Sequence, residues 1–367
     1  MKIMVALFIL FHGLIHFLGF IKSLNSAAVA QLKQPISLPA GTLWLICGLL
    51  FPVAAILIYL NHPSWWIAGL AAVLISQVII LYSWSDAKYG TIANLLVFVF
   101  VVAGAGMWKF HRSYQLDYET ALAGSTIHHR NIIHDSGIAA LPLPVQRYLR
   151  YTGVLNKPEI SNVRITMSGQ MREKGKDWFP ISSEQYNFFE TPTRLFYMTG
   201  IFSRIPVPGY HAYKNGHASM QVRLFGLIPV VNLSSRELNQ AETVTLFNDM
   251  CLLAPASLMD ERVQWVESDS LSATARFTCN GITVGARLIF NHEGQLINFI
   301  SDDRYALSGK TMTKQRFSTP VSEYKNFGGY RLPGFGSAIW HYPDGEFEYA
   351  RFTIQSVEYN VTNNLKE

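Results

Sequence analysis

Four long apolar runs fill the first 108 residues, and they constrain the fold more than any other feature of the sequence. Each run is close to the roughly 20 residues that an α-helix needs to cross the hydrocarbon core of a bilayer. Only four lysines and one aspartate occur in this part of the chain. The composition therefore predicts a transmembrane four-helix domain over residues 1–108. The runs are Ile3–Phe20, Gly41–Leu60, Trp65–Trp84 and Ile92–Trp108.

The charges that flank the runs do not decide which side of the membrane the remaining chain occupies. Either orientation places three lysine or arginine residues in the cytoplasmic segments. The positive-inside rule therefore favours neither orientation.

Two histidines, His12 and His16, lie one helical turn apart in the first run and share one face of the predicted helix. Paired histidines inside a membrane bundle can hold a metal ion or a haem, or relay protons. They can equally form hydrogen bonds between helices, and no further His or Cys ligand set accompanies them in the apolar runs. The pair is a weak candidate metal site, and the sequence predicts no cofactor.

The polar stretch of residues 109–140 is interpreted as a linker of weak helical character. It contains His128, His129 and His134, but no accompanying His or Cys at the spacing of a zinc site. A short helix that starts near Pro144 then opens a soluble antiparallel β domain, predicted over residues 141–367.

The apolar periodicity changes to two from Ile160 onward, as is typical of strands with one buried face. Asn-Gly and Asp-Gly pairs, the usual residues of two-residue hairpin turns, recur between these strands. We expect an α+β fold in which a large curved antiparallel sheet of roughly ten strands, resembling a half-barrel, carries one helix on a face. A meander is predicted from three consecutive strands, at 271–279, 282–290 and 295–301.

One clear helix candidate, residues 234–254 within the stretch 234–259, interrupts the strands. Ser234 or Ser235 can cap its start, and Pro255 ends it. Asp249 lies beside its apolar C-terminal end, where a buried carboxylate without a partner would be costly. We therefore expect Asp249 to form an ion pair, with Arg304 as the partner.

The segment Tyr186–Phe202 departs from the alternation, because its strands are apolar on both faces. Either both faces are covered by protein, or one face lines an apolar cavity. In the second case Phe188, Phe196, Met198 and Phe202 should line the cavity, and the helix that ends at Pro255 should form part of its lid.

Two further carboxylates, Asp302 and Asp303, precede Arg304 in the sequence SDDRY. Adjacent residues of an extended chain point to opposite faces, so this pair is poorly suited to general acid–base catalysis. They can instead pair with nearby arginines or contact a ligand. No Ser-His-Asp order, phosphate-binding loop, dinucleotide-binding glycine pattern or HExxH motif occurs, and the net charge of +5 forms no basic patch for nucleic acid.

Seven stretches along the chain together resemble a bacterial family of membrane proteins of unknown function: HGLIHFLGF, QPISLPAGTLW, SDAKYGTIAN, LPLPVQRYL, ETVTLFNDMCLLAP, SDDRY and IWHYPDGEFEYARF. The resemblance implies no established activity. The soluble part looks similar to the lipoprotein-carrier type of half-barrel, a curved antiparallel sheet closed by helices over an apolar cavity. The candidate ligand-binding residues within these stretches are Glu242, Asn248, Asp249, Asp302, Asp303 and Arg304.

Three hypotheses of function follow. In the first, membrane helices present a β domain that binds a lipid or another apolar small molecule. In the second, a hydrolase-type enzyme uses Asp249, Asp302 and Asp303 in a cleft to act on a membrane-derived substrate. In the third, the histidine pair of the first helix forms a metal or haem site. The lack of a catalytic constellation favours the first, and the resemblance implies the bacterial cytoplasmic membrane with the β domain on its outer side.

Overall fold

The computed structural model describes residues 2–126, 131–308 and 311–362. The chain forms two compact units. The first, the helical unit, is made of the residues up to 112 together with 225–228, and the second, the β unit, is made of the rest. The domain bounds predicted at 1–108, 109–140 and 141–367 stay a prediction. Of the histidines in the predicted linker, His128 and His129 lie outside the described residues.

Four helices that begin in the first unit are long and apolar enough to span a membrane, and they coincide with the four predicted runs to within two residues at the C-terminal ends of the second and third runs. The last of them continues well beyond Trp108, because no glycine or proline interrupts the chain before Gly124. The helices are α1 (Lys2–Leu24), α2 (Leu38–Tyr59), α3 (Trp65–Tyr82), α4 (Trp84–Ala87), α5 (Gly90–Gly124), α6 (Asp135–Ile138), α7 (Leu143–Thr152) and α8 (Arg236–Leu253).

A thirteen-stranded antiparallel sheet dominates the second unit and confirms the predicted fold class. Its order is β6-β5-β4-β3-β2-β1-β17-β16-β13-β10-β9-β8-β7, while β11–β12 and β14–β15 form two separate hairpins. The predicted meander corresponds to β8, β9 and β10. The strands are β1 (Asn162–Met171), β2 (Phe179–Phe188), β3 (Thr193–Phe202), β4 (Ile205–Lys214), β5 (His217–Leu224), β6 (Ile228–Leu233), β7 (Val263–Ser268), β8 (Ser272–Cys279), β9 (Ile282–Phe290), β10 (Leu296–Ser301), β11 (Tyr305–Ser308), β12 (Thr311–Lys314), β13 (Phe317–Ser322), β14 (Lys325–Phe327), β15 (Tyr330–Leu332), β16 (Phe335–Tyr342) and β17 (Gly345–Tyr359).

The sheet curves around helix α8 without closing into a barrel. Helix α8 contacts β5 near one edge of the sheet and β9 and β10 near the other. Neighbouring strands lie about 4.8 Å apart, so a flat sheet would separate β5 from β9 by roughly 40 Å, far more than the width of a helix. The turn at Gly216, which has a φ of +76°, approaches the turn at Asn280 so closely that an added Cβ would lie 2.8 Å from the Asn280 Cβ. The two ends of the sheet therefore converge at this point.

The convex face of β2 and β3 is covered by the C-terminal end of α5. Tyr114 is fully buried there: its ring stacks on Tyr197 with the centroids 5.3 Å apart, and its hydroxyl donates to Glu184 Oε1 over 3.1 Å. One turn further along, Tyr118 stacks on Tyr186 at 4.7 Å. Part of the segment predicted as a polar linker is thus helical and packed on the sheet.

Helix α8 fills the concave side of the sheet. The hydroxyl of Ser235 accepts a hydrogen bond from the backbone N–H of Leu238 over 3.1 Å, which confirms the predicted cap. The helix ends at Leu253, and a 3-10 helix, Pro255–Met259, follows it. On one side of α8, Phe247 packs against the rings of the β8 and β10 phenylalanines, with centroids 5.2 and 5.7 Å away. The other side of the helix faces a cavity.

Candidate functional site

A cavity of about 650 Å³ lies within the second unit, between the concave face of the sheet and helix α8. The hairpin β11–β12 contributes to its wall as well. Aliphatic, thioether and aromatic side chains make up most of the lining. The large apolar ones include Met167, Met171, Phe179, Phe196, Met198, Phe202, Val207, Met220, Val222, Leu238, Leu252, Phe317, Val321, Phe352 and Ile354.

Three of the four predicted lining residues of this region do face the cavity. Phe196, Met198 and Phe202 alternate along β3 and line it together with Arg194, the next residue on that face. The prediction for Phe188 was wrong. It pairs with Thr193 across the hairpin, and directly opposed residues of an antiparallel pair share a face, so Phe188 lies on the convex side.

The structure supports the second interpretation of the apolar segment Tyr186–Phe202, in which one face lines a cavity. The concave face lines the cavity, whereas the convex face is covered by the tyrosines of α5. Helix α8 forms one wall of the cavity through residues spaced three and four apart, and its role as part of a lid stays a prediction.

Asp249 lies on this wall of α8 and is the centre of a buried polar cluster. Its Oδ2 accepts three hydrogen bonds, from Gln185 Nε2 over 2.7 Å, Asn187 Nδ2 over 3.1 Å and Arg194 Nε over 2.7 Å. The Arg194 guanidinium also donates from Nη1 to Glu242 Oε2 over 3.0 Å, and from Nη2 to Gln185 Oε1 over 3.0 Å. All these side chains are at least nine-tenths buried. The cluster is therefore internally satisfied, as buried charges require.

The prediction that Asp249 is ion-paired is confirmed, but the predicted partner was wrong. The partner is Arg194, on the strand that faces α8, and not Arg304. The sequence contained one signal for this partner. Arg194 is two and four residues from Phe196 and Met198 along the strand, so its side chain lies on the same inward face as theirs. A charged residue on the inward face of a strand predicts a buried counter-charge.

Glu242, one of the candidates in the family-like stretches, lies two turns before Asp249 in the same cluster. Burial raises the pKa of its carboxyl, but the charge of Arg194 and the contact with His211 outweigh burial and lower the pKa from 4.5 to about 2. The Nδ1 atom of His211 is 3.8 Å from Glu242 Oε1. Glu242 is consequently an anion at neutral pH and not a proton donor.

Asn248 is buried beside the cavity and is only partly satisfied. Its Nδ2 donates to Thr319 Oγ1 over 3.0 Å, while its Oδ1 has no hydrogen-bond partner in the described part of the protein. Most buried polar groups in proteins are paired, so this unpaired acceptor is an exception, and its oxygen is itself closed to the cavity.

The two carboxylates of the SDDRY loop lie away from this wall. Asp302 forms an exposed ion pair with Arg316 over 3.1 Å. Asp303 pairs with Lys314 over 2.7 Å and accepts the backbone N–H of Gly285 over 2.7 Å. Neither lines the cavity, so the structure does not gather them with Asp249 into a cleft of carboxylates.

Arg304 lines the cavity without joining the cluster around Asp249. Its Nη1 donates to the hydroxyl of Tyr349 over 2.9 Å. Its guanidinium carbon lies 4.0 Å from the ring centroid of Phe317 and 5.1 Å from that of Trp340, both within the range of a cation–π contact.

His12 and His16 belong to a hydrogen-bond network inside the helical unit. The Nε2 atom of His12 is 2.9 Å from Asn94 Oδ1, and that of His16 is 2.8 Å from Ser76 Oγ. These contacts connect α1 with α5 and α3. Among the described residues, no three His, Cys, Asp or Glu side chains are grouped so as to hold a metal ion. The geometry is that of interhelical hydrogen bonding, and the metal or haem hypothesis stays a prediction.

The second unit thus defines a class of fold, an open antiparallel half-barrel that holds one helix and encloses an apolar cavity. Within that class, residues 131–352 match a family of unknown function, DUF6544, and the chain belongs to it. No curated protein matches the chain.

Two solved structures are similar to part of the chain. A LolA superfamily protein from Nitrosomonas europaea aligns with 60% of this chain and 94% of its own, at 8% identity and a TM-score of 0.36. A β-barrel-like protein of the DUF1849 domain of unknown function, from Brucella abortus, aligns with 55% of this chain and 99% of its own, at 7% identity and a TM-score of 0.20.

Proposed function

We propose that the protein is a membrane-anchored binding protein whose β unit holds a lipid or a similar apolar ligand in the cavity beneath α8. The observation that carries this proposal is the cavity itself, about 650 Å³ with a predominantly apolar lining. Small-molecule sites usually enclose about 300–1,000 Å³ and combine an apolar wall with a few polar groups. Natural cores are packed to high density, so an apolar space of this size is not an ordinary packing defect.

The helical unit supports the membrane part of the proposal. Its four candidate spans have mean hydropathies of 2.0 to 2.3 and expose many large apolar side chains, as helices that face lipid do. We further propose the bacterial cytoplasmic membrane, with the β unit on its outer side, as the sequence resemblance implies. A C-terminal fusion to a reporter that is active only in the cytoplasm tests the side, and a strongly active fusion would reverse the orientation.

Photo-crosslinking of the full chain in lipid vesicles tests where an apolar ligand binds. A hexadecanol that carries a diazirine in its alkyl chain is added to phosphatidylcholine vesicles containing the protein, and the adducts are located by peptide mass spectrometry. We expect adducts on the lining segments 194–202 and 238–253. Adducts confined to the four apolar helices would contradict the proposal, because the probe would then report only the surrounding bilayer.

A pair of substitutions on neighbouring residues of β3 provides the control. Met198→Glu puts a carboxylate on the apolar wall, and a charge without a partner there should reduce the cavity adducts about tenfold or more. Thr199→Glu puts the same carboxylate on the opposite face of the strand and should leave the cavity adducts unchanged. Equal loss in both variants would indicate general disruption of the sheet.

A further inference from the structure

Arg194 and Arg304 both line the cavity, but their hydrogen bonds differ. The Nε, Nη1 and Nη2 atoms of Arg194 each donate a hydrogen bond to a side chain of the polar cluster around Asp249. Arg304 has one side-chain acceptor, the hydroxyl of Tyr349, and its Nε atom is buried with no hydrogen-bond partner in the described residues. Among those residues, no carboxylate lies within 4.0 Å of its guanidinium. Arg304 is thus a held cation without a bound counter-anion.

The aromatic residues around Arg304 fix the orientation of the guanidinium. Its plane rests near the rings of Phe317 and Trp340, and the Tyr349 hydroxyl holds Nη1. A guanidinium held in this way loses little conformational entropy when it binds a carboxylate or phosphate through two parallel N–H bonds. The two carboxylates nearest to Arg304 in the sequence already have ion-pair partners. Asp302 pairs with Arg316, and Asp303 pairs with Lys314.

A second polar group, the hydrogen-bonded pair of Asn248 on α8 and Thr319 on β13, belongs to the same wall of the cavity. Asn248 is bonded to Thr319, and Arg304 rests on Phe317, two residues earlier on β13. Both of these strand residues line the cavity. Residues two apart on a strand are separated by about 7 Å and point to the same side. The wall of the cavity around Arg304 therefore combines one cation with the polar pair of Asn248 and Thr319.

We propose that Arg304 binds the anionic head of a single-chain amphiphile, a carboxylate or a phosphate, whose alkyl chain occupies the apolar space along β3 and α8. This inference rests on the proposed function, since it assigns the class of ligand for the same cavity. The ion pairs of the cavity are consistent with it: Glu242 and Asp249, its two buried carboxylates, are bonded to Arg194, and Arg304 stabilises the Glu242 charge without forming an ion pair with it.

Competition against the photo-crosslink of the neutral hexadecanol probe tests the head-group assignment. Three competitors with the same chain are compared on the wild-type protein in phosphatidylcholine vesicles: dodecanoate, dodecyl phosphate and dodecan-1-ol. We expect dodecanoate or dodecyl phosphate to displace the probe at a concentration about tenfold or more below that of the alcohol, as a charge-assisted bond to arginine requires. The more potent of the two acids identifies the head, carboxylate or phosphate.

Substitution of Arg304 then assigns the preference to this side chain. Arg304→Gln should bring the three competitors to within about threefold of one another, while Arg304→Lys, which keeps the charge, should retain part of the preference. Arg316→Gln is the matched control, because it removes an equal charge next to the same loop from a residue that does not line the cavity. Each competitor partitions into the same vesicles whichever chain they contain. A change in the ratio of the competitors' potencies from one chain to another therefore reports the effect of the substitution at Arg304.

The outcomes separate this inference from the proposed function. If dodecan-1-ol displaces the cavity adducts of the wild-type chain at the same concentration as the acids do, the head-group assignment is overturned. The cavity would then be a binding site for neutral apolar ligands. A preference for acids that survives in Arg304→Gln would overturn the role of Arg304. Absence of cavity adducts on the wild-type chain would overturn the proposed function and this inference with it.

Discussion

The substitution Asp249→Asn tests the buried cluster that supports the wall of the cavity. The Oδ2 atom of Asp249 accepts three hydrogen bonds, and one of them is the 2.7 Å contact with the Arg194 guanidinium. Asparagine has nearly the same shape but no charge. All three donors would then bond to a neutral oxygen, and Arg194 would keep Glu242 as its only carboxylate.

The expected loss of stability can be estimated from these contacts. Removing one partner of a buried ion pair costs about 3–5 kcal/mol. The remaining bond of Arg194 to Glu242 and the retained amide oxygen favour the lower end, so we expect a loss of about 3 kcal/mol. For a unit of this size, 1 kcal/mol lowers the melting temperature by about 2–4 °C, which gives a decrease of about 6–12 °C.

Buried thiols provide the assay. Cys251 and Cys279 are buried in the β unit, and burial raises the pKa of both thiols, so they should react with a fluorogenic maleimide only after unfolding. The third thiol, Cys47, lies in the helical unit and is replaced by alanine in every chain compared, so the signal reports the β unit alone. Apparent midpoints are measured at one heating rate, because unfolding of such a chain need not be reversible.

Asp302→Asn is the control, since it makes the same chemical change in an exposed ion pair whose aspartate side chain is 71% accessible. Exposed pairs contribute about 0–1 kcal/mol, so its midpoint should fall by no more than about 4 °C. An Asp249→Asn midpoint that stays within about 2 °C of the parent chain would refute the reasoning, because the carboxylate would then contribute no net stability.

Two further predictions concern the stability of the β unit. The first is followed by near-ultraviolet circular dichroism, because maleimides react with the thiolate and are ineffective below pH 4.5, and the second is followed by the maleimide assay. Because the folded-state pKa of Glu242 is depressed from 4.5 to about 2, its stabilising contribution is fully present above about pH 4.5 and is lost as the pH falls toward 2. The β unit should therefore lose stability across this window, and the Glu242→Gln variant should lose less stability over the same window. Equal dependence of stability on pH in the two chains would contradict the assignment. Tyr114→Ala should destabilise the β unit by about 3 kcal/mol or more, since it removes a fully buried ring that packs on the convex face of the sheet, whereas Leu116→Ala, at a half-exposed position of the same helix, should have little effect.

The sequence predicted the architecture well where local patterns determine it. The four apolar runs, the meander after residue 271, and the helix with its serine cap and proline end all depend on periodicity and turn chemistry within short stretches. The extension of α5 was missed because its polar residues read as a linker, although Tyr114 in that stretch is fully buried. The burial of that ring comes from the strands it packs on, which a local pattern does not contain.

The site was harder to predict because it depends on register and on contacts distant in sequence. The face of Phe188 is decided by how the hairpin of β2 and β3 pairs, and a shift of one residue reverses every side chain of a strand. The ion pair of Asp249 with Arg194 joins a helix to a strand 55 residues away, so no local pattern identifies it. Arg304 was predicted to pair with Asp249, but its contacts are with aromatic rings and a tyrosine hydroxyl, and its role in ligand binding stays a prediction.

The occupancy of the cavity in the protein taken from its native membrane tests the central claim most directly. The full chain is purified with extensive washing, and the bound lipid is extracted and quantified by mass spectrometry beside the Met198→Glu and Thr199→Glu variants. We predict about one equivalent of a single-chain amphiphile on the wild-type chain and on Thr199→Glu, and a large loss on Met198→Glu. Equal lipid content and composition on all three chains would contradict the account, because the lipid would then come from the surface of the apolar helices and the cavity would be empty of ligand.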